Sequence, residues 1–128
     1  MSVSDPLTCR IIGAAYLVYN KLGSGHLEHV YRNALAAVLK REGFRVQIES
    51  RLDVIFEGEM IGWCEADLVV NGFTVETKAQ EAILPGHKRR LRAYLRSCGK
   101  NSGLILNFGP VRVEVKRVEA DVEEEVAG

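Results

Sequence analysis

Asp67, Glu76 and Lys78 are the side chains whose types and spacing could do chemistry. They flank an Asn71-Gly72 pair within residues 65–78, a stretch that reads as two short apolar, β-branched runs. Asn-Gly tolerates the positive φ of a tight type I′ turn, so the stretch is expected to fold as a hairpin. With a two-residue loop, Val70 faces Phe73, Val69 faces Thr74, Leu68 faces Val75, Asp67 faces Glu76 and Glu65 faces Lys78. Opposed side chains share a face of the sheet. One face then carries Leu68, Val70, Phe73 and Val75 and reads as core. The other carries Glu65, Asp67, Glu76 and Lys78.

Opposed carboxylates repel unless a cation lies between them or one is protonated. Mg²⁺ is a hard cation that is held by one or two carboxylates together with water and substrate phosphate oxygens. A lysine on the same face could hold an attacking water or steady a phosphate. The alternative is a solvated, charged sheet face on which Lys78 merely neutralises Glu65. The hairpin alone leaves these two readings level.

The elements that must position this hairpin follow from periodicity. Asp5-Pro6 suits a helix start, and Leu7, Ile11, Ala14, Ala15, Val18 and Leu22 recur at helical spacing, which gives a helix over about 6–22. After Gly23-Ser24-Gly25 a second helix is expected over about 26–42, with Leu27, Val30, Tyr31, Ala34, Leu35 and Val38 as its buried stripe. Glu28 lies in its first turn. It could simply favour the helix N-terminus and pair with Arg32 four residues on, or it could join the hairpin carboxylates.

Residues 45–79 read as a meander of three or four antiparallel strands, with a further turn at Glu57-Gly58-Glu59. A third helix, about 87–98, carries His87, Leu91, Tyr94, Leu95 and Cys98 on one face. Lys88, Arg89, Arg90, Arg92, Arg96 and the following Lys100 make six bases without an acid. Such a helix either pairs with acids elsewhere or faces phosphate, since Arg and Lys supply the salt-dependent bulk of nucleic-acid affinity. Residues 103–108 form a continuous apolar run that suits a buried strand reached by a helical crossover. Val111, Val113 and Val115 alternate with charged residues in a last, half-exposed strand.

At 128 residues the chain is long enough for one domain with a real core. No run approaches the length of a membrane span and no signal peptide opens the chain. Three scattered cysteines without CxxC spacing suit a reducing cytoplasm and no zinc site. The net charge of zero hides an asymmetry. Residues 119–128 hold five acids and no base, leaving the preceding 118 residues with 17 bases against 12 acids, a net charge of +5. The acidic segment reads as a disordered tail, or as one that occupies a basic groove in place of nucleic acid. The domain is therefore expected to span 1–118.

The order helix, helix, antiparallel strands, crossover helix, strand, strand, with Asp67 and Glu76-Thr77-Lys78, resembles the core of the PD-(D/E)xK nuclease superfamily. The stretch from Leu22 to Tyr31, with Gly25, Glu28 and Tyr31, is similar to the signature of the small bacterial GxxExxY family. Asp67-Leu68-Val69-Val70, Val75-Glu76-Thr77-Lys78-Ala79, His87, Tyr94-Leu95 and residues 103–109 match its later blocks in order, so the resemblance covers about 10–118.

The resemblance implies an α+β restriction-endonuclease-like fold with a mixed central sheet. It implies Asp67 and Glu76 as ligands of Mg²⁺ or Mn²⁺, with the Thr77 carbonyl and Glu28 as further ligands and Lys78 as the catalytic lysine. Lys88, Arg89, Arg90, Arg92 and Arg96 would guide nucleic acid, DNA rather than RNA. A homodimer would suit cleavage of two strands. One departure is plain: Arg90 stands four residues before Tyr94 where RecB-type relatives tend to have Gln. The expected function is metal-dependent phosphodiester hydrolysis. The alternatives are a catalytically degenerate nuclease fold that binds nucleic acid or dimerises, and a module that binds a protein partner through an exposed sheet edge.

Overall fold

A computed structural model describes residues 5–121 as three helices and five strands. Helix α1 (Pro6–Leu22) starts where Asp5 accepts hydrogen bonds from the Thr8 backbone N–H and hydroxyl, at 3.2 and 3.1 Å. Helix α2 (Glu28–Arg41) follows, then β1 (Val46–Phe56), β2 (Glu59–Val70) and β3 (Phe73–Lys78). Helix α3 (Pro85–Cys98) crosses over to β4 (Ser102–Phe108), and β5 (Val113–Glu119) completes the sheet.

The spatial order β1-β2-β3-β4-β5 repeats the order along the chain. Only β3 and β4 are parallel, as a connection through α3 requires. Helices α1 and α2 cover one face of the sheet, where Ile11, Ala15, Tyr31 and Leu35 meet Leu68, Val70, Val75, Leu104 and Leu106. Helix α3 covers the other. There Leu91 and Leu95 pack on Ile105 and Val118, and Tyr94 packs on Ala66 and Val69. Covered on both sides, β4 buries all seven residues, which is why its centre, Leu104-Ile105-Leu106, is apolar on both faces, while Ser102 and Asn107 are buried polar residues near its ends.

Several boundaries differ from expectation. Residues 46–56 form one eleven-residue strand, so the meander has three strands rather than four. Helix α2 starts at Glu28, leaving Leu27 outside the core and 70% exposed. Val111 is exposed and precedes β5, which runs on to Glu119. Ala120 is buried, and its N–H donates to the Asn101 carbonyl. The ordered sheet thus extends past 118, and the rest of the expected acidic tail, 122–128, lies outside the described residues.

Because β3 pairs with β2 only over residues 68–70, the outer β1–β2 ribbon has no third strand. It exposes Ile55, Phe56, Met60, Ile61 and Trp63. The Arg51 guanidinium lies 4.7 Å from the centre of the Trp63 ring. Among the described residues no helix is long and apolar enough to cross a membrane. Cys9, Cys64 and Cys98 are not disulfide-bonded.

Candidate active site

The Asn71-Gly72 turn forms with the positive φ values its chemistry allows, 47° and 83°. The ladder beside it has the expected register: Val70 opposite Phe73, Val69 opposite Thr74 and Leu68 opposite Val75. There it stops. The backbone pairing expected between Asp67 and Glu76, and between Glu65 and Lys78, is absent from the β2–β3 ladder. The β1–β2 ladder also skips Asp67, and on β1 the skipped position is Glu49, whose backbone is left-handed at φ 55°. A left-handed non-glycine residue is energetically unfavourable and is worth noting where it meets candidate chemistry.

Side chains take over where the backbone pairing ends. The Asp67 N–H donates to Glu76 Oε1 at 3.3 Å. Asp67 Oδ2 accepts from the Thr77 N–H at 2.8 Å and from the Thr77 hydroxyl at 3.2 Å. The two carboxyl groups are thereby drawn into the gap between the strands, with Lys78 next along β3.

The electrostatics follow from this crowding. Burial, then the negative charge of Asp67, pushes the Glu76 carboxyl up to about 8, against the opposing pull of the Asp67 N–H and the Lys78 ammonium. Glu28 is also raised, by burial first and then by Asp67, while Lys78 and Arg32 act in the other direction. Glu28 therefore belongs to the same electrostatic neighbourhood as the hairpin, although it sits on a helix. Of the two readings of Glu28, the ion pair with Arg32 does not form; Arg32 pairs with Glu49 at 3.4 Å.

Two hard carboxylate donors, one kept from ionising mainly by burial and by its neighbour's charge, suit a divalent cation, whose charge would stabilise both. Among the described residues no three His, Cys, Asp or Glu side chains converge closely enough to hold a metal by themselves. A metal at Asp67 and Glu76 would draw its other ligands from backbone carbonyl, water or substrate, as Mg²⁺ commonly does.

The bases of α3 divide into two groups. Arg92 is buried and its Nε donates to the Glu119 carbonyl at 3.0 Å; Arg96 Nε donates to the Ala120 carbonyl at 2.8 Å. Both hold the end of β5. Arg90 lies on the other side of the helix, where it and Lys78 lower the pKa of His87 after burial has done so first. His87 Nδ1 accepts from the Leu84 N–H at 2.9 Å, closing the start of α3. Lys88 is half-buried and Arg89 exposed.

Tyr94 lies close enough to Glu76 and Ser50 for both to act on its hydroxyl, which burial raises first. His87 and Tyr94 thus join the site's surroundings. The sequence places both on the semi-apolar face of the third helix and among the residues that carry the resemblance.

Asn107 was not singled out by residue type, yet it is fully buried beside Lys78 in the β3–β4 ladder. Its Oδ1 accepts from the Gln80 N–H and its Nδ2 donates to the Gln80 carbonyl, both at 2.9 Å, and Nδ2 also donates to Glu114. The side chain acts as one more rung of the sheet just beyond Lys78. Asn107→Ala should leave both Gln80 backbone groups without a partner and cost about 2–3 kcal/mol, read as a lower urea midpoint. A loss under about 1 kcal/mol would show that the clamp is dispensable.

A family model described as the PD-(D/E)XK nuclease superfamily matches residues 5–118. Among curated proteins the chain has no match. Among solved structures, the crystal structure of SSO0001 is similar in fold, with a TM-score of 0.61 at 19% sequence identity. The match covers 75% of this chain and 52% of that one, so this chain spans about half the length of that relative.

Proposed function

The chain belongs to the PD-(D/E)XK nuclease superfamily, and from that membership we propose that it is a metal-dependent nuclease of the GxxExxY type, acting on DNA. The observation that carries the reading is the break in pairing that brings the Asp67 and Glu76 carboxyls together immediately before Lys78.

In this reading Asp67 and Glu76 would hold Mg²⁺ or Mn²⁺, with the Thr77 carbonyl, water or substrate as further ligands; Glu28, offered by the resemblance as a ligand, does not converge with them as a third side chain and stays in their electrostatic neighbourhood. The bound ion supplies positive charge for the scissile phosphate and lowers the pKa of a coordinated water. Thr77 fixes Asp67 through two hydrogen bonds. Lys78 holds the attacking water and stabilises charge on the phosphorane. Arg90, with Lys88 and Arg89, meets the flanking backbone. Three cysteines without a disulfide support a cytoplasmic setting.

Calorimetric titration tests the metal site. Wild-type protein should bind one or two Mn²⁺ or Mg²⁺ ions, and Asp67→Asn should bind none. Equal binding by both proteins would move the metal elsewhere.

Specific observations favour a second reading, a degenerate nuclease fold retained for binding nucleic acid or for dimerising. The net charge is zero, and Arg90 stands where RecB-type relatives tend to have Gln. That protein would bind nucleic acid without metal and with a steep salt dependence.

A further inference from the structure

A cleft of about 480 Å³ opens among the segments that follow β3 and β4 and precede α2. Three segments line it: residues 25–27 before α2, 79–81 after β3 and 108–110 after β4. Two of its walls adjoin the candidate site, since Leu27 precedes Glu28 and Ala79 follows Lys78.

Each wall is fixed by a polar side chain from elsewhere in the fold. The Tyr31 hydroxyl donates to the Gly23 carbonyl and accepts from the His26 N–H at 3.2 Å, holding the first segment. Asn107 brackets Gln80 and holds the second. The Tyr19 hydroxyl donates to the Gly109 carbonyl at 2.7 Å and holds the third. Beneath, the Tyr31 and Phe108 rings stack with centroids 4.6 Å apart and planes 4° from parallel. The cleft is therefore built in advance rather than left between mobile loops.

Its lining selects a class of ligand. No Lys or Arg contributes to it; its polar side chains are Glu81, Gln80 and His26, whose Nε2 lies 3.2 Å from the Leu22 carbonyl, so a phosphate group finds no fixed cation there and meets a carboxylate. Leu27 presents an apolar side chain that the core does not use, with Pro110 also exposed. A flat, uncharged ring would cover this surface. Glu81 can accept hydrogen bonds and, when ionised, donates none. A carboxylate matches a guanine edge best, because N1–H and the N2 amino group offer two donors side by side. Uracil and thymine offer only one donor, flanked by carbonyl oxygens.

We propose that this cleft is a nucleobase subsite for the nucleotide next to the scissile phosphate, selective for guanine through Glu81. The inference rests on the nuclease reading for the neighbouring phosphate, and its test does not depend on cleavage. Metal-free protein is titrated with guanosine and uridine 5′-monophosphates and with the dinucleotides TpG and TpT, while backbone amide resonances are followed.

The guanine ligands should shift the amides of Gly25, Leu27 and Gly109 saturably and bind about tenfold more tightly than their uracil or thymine counterparts. Glu81→Gln should abolish that preference. Leu27→Ala, at an exposed position, should weaken all four ligands alike. The proposal is overturned by no saturable shift with any ligand, by shifts confined to residues around Glu28 and Lys78, or by equal affinities unchanged by Glu81→Gln. Base binding by a protein that cleaves nothing would reject the nuclease reading and leave the cleft. Cleavage lost in Lys78→Ala with a cleft that binds no base would do the reverse.

Discussion

Glu76→Ala and Lys78→Ala should each lower the rate of metal-dependent cleavage by at least about a hundredfold, and by up to about a thousandfold, the range seen when one group that stabilises transition-state charge is removed. The two losses arise differently. Glu76 is a metal donor on the proposed reading, so its removal should also raise the concentration of Mn²⁺ needed for any residual activity. Lys78 donates to water or phosphate, so its removal should lower the maximal rate with metal affinity little changed. Both proteins should keep the wild-type circular dichroism spectrum, because neither side chain belongs to the clusters that hold the three layers together. Single-turnover cleavage of a labelled oligonucleotide over a range of Mn²⁺ concentrations separates the cases. Undiminished cleavage by both variants would place the chemistry away from this hairpin.

The second large effect concerns stability and pH. In the metal-free fold Glu76 holds its proton up to about 8, against 4.5 for the free side chain. Below pH 4.5 the carboxyl is protonated whether the chain is folded or not, and it contributes no pH dependence. Between 4.5 and about 8 the folded state binds more protons than the unfolded state, so stability falls as pH rises. At about 1.4 kcal/mol for each pH unit, the accumulated loss is on the order of 5 kcal/mol, a large part of what a domain of this size commonly has. Glu76→Gln removes the titration and should be the more stable protein at pH 8.5 by a few kcal/mol. Urea unfolding at pH 5 and 8.5, in the presence of a chelator, measures it. Saturating Mn²⁺ should reverse the trend for wild type, since a cation between the carboxylates favours the ionised form. A wild-type slope that survives in Glu76→Gln would assign the pH dependence to other groups.

The parts of this molecule that depend on local chemistry were legible in the sequence. Asn71-Gly72 defines its own turn, and the turn sets the register of the three pairs nearest it. Asp5 and Pro6 define a helix start in the same way. The apolar stretch Leu104-Ile105-Leu106 points to a strand covered on both faces. What was not legible depended on distant partners. The ladder ends at Leu68, where the Asp67 and Glu76 carboxyl groups accept from the Thr77 and Asp67 N–H groups in place of backbone rungs, and where β1 turns left-handed at Glu49. Nothing in the alternation of 65–78 records that. Arg92 and Arg96 resemble their neighbours in sequence, yet their carbonyl partners lie 27 and 24 residues away. Leu27 fits the helical stripe by spacing and is still outside it, because α2 begins one residue later.

The strand order has a consequence for how the chain reaches this structure. Each strand pairs with the strand made just before it, so the sheet can grow in the direction of synthesis, one neighbour at a time. The first helix is the exception. It packs against Phe108 and Val113, and Tyr19 must find a carbonyl 90 residues further on. Contacts of such high sequence separation carry a large loop-closure cost and slow folding. The N-terminal helix is therefore expected to form early as local structure but to dock last, after β4 has left the ribosome. Until then the apolar face of the half-built sheet is open, and that interval is when the nascent chain most needs protection from aggregation.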